Sequence, residues 1–169
     1  MNLTLSFHVL VSHWVPGFSL IMAAWRISGS SLSLKSLLNP SSSGEAIMTL
    51  SVVVAALIVG ELLDSVRDLL EWVWDHVFAP MPWSLFDTAD KDKIEQFYNS
   101  RFTWYAFDCN ISLALVLVIL LALYFGTVPV WFVITLVLSL GIFVVNACSL
   151  RSEMVRLTAA APANKPQLP

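Results

Sequence analysis

The sequence predicts an all-α membrane protein of four transmembrane helices, with the second and third prolonged into the cytoplasm as a helical stalk. Of 169 residues, 57% are hydrophobic and 12% charged, and mean hydropathy is +0.76, far from the usage of soluble domains. Four apolar stretches, at residues 5–27, 44–64, 103–126 and 129–150, approach or exceed the ~20 residues that an α-helix needs to cross a hydrocarbon core. Between the second and third, helical periodicity persists over much of 64–102.

The first span begins close to the amino terminus but lacks the basic flank of a signal peptide, and His8, His13 and Pro16 interrupt the place of its apolar core. A retained span with a kink at Pro16-Gly17 is expected. His8 and His13 lie about 140° apart around a helix, so they cannot chelate one metal from one face. Interfacial or hydrogen-bonded histidines are the simpler reading.

A serine-rich connector, SGSSLSLKSLLNPSSSG, leads to Ser42 and Glu45, spaced as a capping box for the second helix. Residues 46–60 carry no charge, and carboxylates then arrive at Glu61, Asp64, Asp68, Glu71 and Asp75. At about 100° per residue these five fall within roughly 80° of one face. The opposite side is apolar, including Leu62, Val66, Leu69, Leu70, Val73 and Val77. A membrane helix therefore runs on as an amphipathic one, which APMPW ends at Pro80 and Pro82.

A new helix is expected from about Asp90, continuing unbroken into the third span. Only GTVP separates the third and fourth spans, which must form an antiparallel hairpin. The tail, 151–169, ends in a Pro/Ala-rich run and is expected to be disordered. Seven of the nine Lys and Arg residues (Arg67, Lys91, Lys93, Arg101, Arg151, Arg156 and Lys165) fall on one side of a four-span layout, against Arg26 and Lys35 on the other. Positive residues favour the cytoplasm, so both termini and the acidic stripe are assigned there, in an inner-membrane protein.

The stripe has three readings. It is the solvated face of a helix whose other side packs on the helix from Asp90, or the carboxylate lining of an oligomer's vestibule, or a set of metal ligands. No Glu-x-x-His motif supports the third, which leaves a metal-dependent membrane enzyme as the weakest alternative. The uncharged run of residues 46–60 spans only about 22 Å, short of the ~30 Å core, so Glu61 and Asp64 should lie at or within the interface. They need a partner at that depth, and Arg67 is the nearest. Asp108 is the other ionisable group at membrane depth. Arg101, two turns away on nearly the same face, or an arginine of the second helix, is its expected partner. Asn110 suits an interhelical hydrogen bond, and Thr135, Ser139 and Asn146 form a thin polar seam on the fourth span.

The scattered bases and the net charge of −3 give no support to nucleic-acid binding. Cys109 and Cys148 show no metal-ligand spacing, and the chain has no phosphate-binding loop, HExxH or GxSxG motif. No cofactor, catalytic residue or metal site is therefore expected.

Four spans can scarcely enclose a conduit alone, so the leading expectation is a homo-oligomer in the lipid bilayer that forms or gates an ion-permeable pore. A scaffold docking a soluble cytoplasmic partner through the acidic helix is the alternative. In outline the architecture resembles the small multi-span accessory effectors found beside bacterial antiviral systems, including RNA-targeting CRISPR nucleases. That resemblance implies a defence role and transfers no residue.

Overall fold

The computed structural model describes residues 10–29, 39–77, 101–126 and 128–159. Among them there are four α-helices: α1 (Val15–Ile27), α2 (Ser43–Val77), α3 (Thr103–Phe125) and α4 (Val130–Ala159). A π-helical turn, Leu10–Trp14, leads into α1. No strand occurs among the described residues, and α2, α3 and α4 are long and apolar enough to cross a membrane, as a multi-pass membrane protein requires. Only 18 continuous residues of the amino-terminal span, 10–27, are described.

Local chemistry sets these boundaries. Ser42 accepts the Glu45 N–H at 3.2 Å, while the Glu45 carboxylate accepts from the Ser41 N–H at 2.5 Å and the Ser41 hydroxyl at 2.7 Å. The expected capping box forms with its return bond shifted by one residue. α3 ends on Gly126, whose φ of +61° is the left-handed conformation glycine adopts without strain, and its N–H bonds the Ala122 carbonyl at 3.0 Å. Pro129 then opens α4, its carbonyl accepting the Phe132 N–H at 3.0 Å.

The distortion expected at Pro16-Gly17 is the π turn just before it. Proline has no N–H for the carbonyl four residues earlier, so the backbone widens where that bond is lost.

α3 is the central element and touches each of the others. Ser12 meets Asn110, and Ile27 packs with Val118 and Ala122, so α1 runs parallel to α3. α2 and α4 run the opposite way. The tightest seam joins α1 to α2: a Cβ on Gly17 would overlap the Ala56 carbonyl, and one on Gly60 would overlap the His13 carbonyl. Val52, Ala56, Gly60, Leu63 and Arg67 form the buried line of α2, with Ala56 and Gly60 in small-xxx-small spacing. Backbone contact thereby replaces side-chain packing. This holds α2 unbroken past Gly60 for 35 residues, about 52 Å.

Two departures from the sequence reading have physical causes. α4 continues past residue 150 to Ala159, because Met154 is fully buried beside Tyr105 and Ala147 and because Arg151 and Glu153 pair with other helices. Residues 151–159 are therefore helix and not disordered tail. The apolar side of the acidic segment is also not its packed side: Leu62, Val66, Leu69, Val73 and Val77 are exposed while Asp64, Arg67 and Glu71 face the bundle. In lipid the charged edge seeks protein and the apolar edge seeks solvent, the inverse of a water-soluble helix. The paired helix expected from Asp90 lies outside the described residues apart from Arg101 and Phe102.

Candidate functional site

Ionisable and polar side chains cluster through the bundle, contributed by the π turn, α2, α3 and α4. At the inner end is His13, in the π turn, with Nδ1 2.7 Å from the Ser12 hydroxyl and Nε2 3.4 Å from Asp64 and 4.0 Å from Glu61. Asp64 accepts from Arg67 Nη2 at 3.2 Å and from the Asn110 amide at 2.9 Å, and Arg67 Nη1 approaches it as an ion pair at 2.5 Å. Arg67 also reaches Asp68 at 2.7 Å and Glu71 at 3.3 Å, and stacks over the Phe102 ring at 5.6 Å. Tyr105 and Arg151 lie beside Glu71 along one cleft, and Arg151 closes on Asp75.

One turn of chain geometry positions the inner end. The Ser12 carbonyl has no N–H from Pro16 to bond, and the fully buried Asn110 amide donates to it at 2.7 Å while its second hydrogen goes to Asp64. A single α3 side chain thus ties the broken turn before α1 to the carboxylate of α2. Asn110 is 16 residues below Gly126, about 24 Å along α3, so a ~30 Å hydrocarbon core set with one edge at the hairpin would contain this cluster. Arg151, 21 residues along from Val130 and about 32 Å away, falls at the opposite edge.

At such depth an ionised group needs a counter-charge. The side chain of Arg67 is only 6% exposed and is met by three carboxylates, so its charge is more than balanced locally. Removing Arg67 from such a buried set costs about 3–5 kcal/mol, because Asp64 and Glu71 are left stranded, whereas the intact set chiefly fixes helix register.

The five stripe carboxylates separate into two groups. Asp64, Glu71 and Asp75 turn inward, with side chains 16–20% exposed, and are held by Arg67 and Arg151. Glu61 and Asp68, seven residues apart on the outer edge, have side chains 65% and 64% exposed.

The other expected residues are placed as follows. Arg67 is the partner of Asp64, as its spacing implies. Arg101 is not the partner of Asp108: it pairs with Glu153 at 3.3 Å, two turns nearer the charged end. Asp108 instead accepts a hydrogen bond from Asn146, joining α3 to α4. A neutral amide gives a buried carboxyl group a donor without bringing a second charge into the core. Of the seam on α4, Asn146 is the member that reaches across to another helix; Thr135 bonds the Trp131 carbonyl of its own helix at 2.9 Å and points outward, and Ser139 is half-buried.

His13, Tyr105 and Arg151 belong to this cluster, and Glu153 pairs apart from it with Arg101, although the sequence reading assigns none of them a site. Two signals for them exist in the sequence: Pro16 strips the Ser12 carbonyl of its partner, and Arg151 is the first charge after the apolar run of α4. His8 lies outside the described residues. Among the described residues, no three His, Cys, Asp or Glu side chains converge as a metal-holding group. Comparison with protein-family models, with curated proteins and with solved structures found no match.

Proposed function

We propose that the chain is a four-span inner-membrane protein, with both termini cytoplasmic, that assembles as a homo-oligomer around an ion-permeable path. Glu61 and Asp68 line its cytoplasmic mouth. The observation that carries this reading is the division of the stripe by exposure: Asp64, Glu71 and Asp75 turn inward on Arg67 and Arg151, while Glu61 and Asp68, the latter with one oxygen on Arg67, stay about two-thirds exposed one above the other on one edge of α2. A ring of such pairs, one from each subunit, concentrates cations at a pore mouth. The inner cluster holds that edge in register.

Conductance of the purified protein in planar bilayers under a potassium chloride gradient tests the proposal. The wild type should show a cation-selective reversal potential, and E61Q/D68N should move it toward zero with conductance retained. A silent wild type, or a selectivity indifferent to the double substitution, rejects the reading.

One observation favours a second reading, a docking face for a soluble partner. Trp72 is exposed on the same edge, within 4.3 Å of the His76 ring, and an aromatic anchor flanked by carboxylates suits protein recognition. In that case E61Q/D68N and Trp72→Ala both abolish capture of a basic protein partner, and no conductance accompanies the wild type.

A further inference from the structure

α2 and α4 stand apart on either side of α3, and the space between them is a cleft of about 380 Å³ open to the side of the bundle. Its apolar body is formed by Leu113 and Val116 of α3 and Leu140 and Val144 of α4, and Leu70 and Trp74 of α2 wall it beside Glu71. Arg67, Glu71, Tyr105 and Arg151 gather at the end nearer the charged side of the molecule. We propose that this cleft is a phospholipid-binding site, taking one acyl chain of a lipid from the leaflet on the Arg151 side, with the phosphate level with Arg151 and Tyr105.

Three features select that occupant. Apolar walls exclude water, because a dry cavity of this lining offers it no hydrogen-bond partners, and a void would forfeit the dispersion contacts of every wall. The cleft's length suits an acyl chain, since Leu140 to Arg151 spans roughly 16 Å along α4. Along α3 and α4 the order of polarity also matches a lipid, since Tyr105 and Arg151 lie toward the membrane edge and the apolar body extends toward the middle. The site does not depend on whether the assembly conducts, only on its lying in a bilayer.

The test uses full-length protein extracted in mild detergent. Native mass spectrometry should find one phospholipid retained per chain, and Val144→Trp, which fills the cleft from its exposed wall, should lower retention about tenfold. Val145→Trp, on the neighbouring outward face, should leave it unchanged. Because a tryptophan variant can fail to assemble, the wild type is also reconstituted with phospholipid bearing a diazirine in its acyl chain. Irradiation should place adducts on Leu113, Val116, Leu140 and Val144.

Equal retention in both variants, or adducts spread evenly over the outer faces of α2 and α4, overturns the proposal by reducing the lipid to an annular one. Retention of a free fatty acid or an isoprenoid in place of phospholipid overturns it as well. So does a wild type that holds no lipid but crosslinks to a second copy through Cys148 on the cleft wall.

Discussion

Asn110 shows how much one uncharged side chain can organise at membrane depth. Its two amide hydrogens satisfy a backbone carbonyl that proline leaves without its helical donor and a carboxylate that lipid would otherwise refuse. Replacing it by alanine should cost about 1–3 kcal/mol, the range for stranding buried acceptors. The share of that loss due to the Ser12 carbonyl should disappear in a Pro16→Ala background, since alanine restores the missing N–H four residues on. A double-mutant cycle by denaturant titration in micelles reads the coupling, expected at about 1 kcal/mol. Equal losses in the wild-type and Pro16→Ala backgrounds would show that the two residues do not share that carbonyl. Asp108 and Asn146 repeat the same logic between α3 and α4, with an amide chosen where spacing alone pointed to arginine.

The seam between α1 and α2 depends on the absence of side chains. Gly17 and Gly60 each put bare backbone against backbone, and neither neighbour can swing away as a side chain would. Gly17→Ala and Gly60→Ala should therefore lower the thermal midpoint sharply, by the ~1–3 kcal/mol of overpacking or more. Gly141 has nothing within 4 Å of an added Cβ, so Gly141→Ala should leave the midpoint unchanged or raise it by the ~0.5–1 kcal/mol that alanine gains over glycine in a helix. If Gly17→Ala melted with Gly141→Ala, the close approach would not be what holds α1. These elements also show where sequence reading succeeds. Apolar length locates α2, α3 and α4, and the shift from uncharged to acidic at Glu61 does not stop the helix. What periodicity cannot convey is which edge of an amphipathic helix faces its own protein. A moment has a direction but no knowledge of the solvent, and lipid reverses the assignment that water would impose. The end of α4 escapes sequence reading for the same reason: Arg151 and Glu153 look like the start of a solvated tail until Asp75 and Arg101 are seen opposite them.

At the scale of the whole molecule, the number of crossings decides where the cluster's two ends lie. The π turn and α1 run parallel to α3, from the level of Asn110 to that of Ala122. A segment lying flat on the surface would meet α3 at one level only. On the proposed four-span layout the entry of α2 lies on one side and the end of α4 on the other, the latter cytoplasmic by the distribution of Lys and Arg. In a background with Cys109 and Cys148 made serine, Ser42→Cys should react with a membrane-impermeant maleimide applied to intact spheroplasts. Arg156→Cys should react only after permeabilisation. A tag preceding Met1 should be protected from external protease in the same cells. Digestion of that tag alongside the Ser42 and Arg156 pattern would mean that the amino-terminal segment does not cross, and His13 would then approach Asp64 from outside the hydrocarbon and lose its place in a transmembrane cluster. Reversal of the cysteine pattern would move Glu61 and Asp68 to the opposite face, where no cytoplasmic mouth or partner could use them.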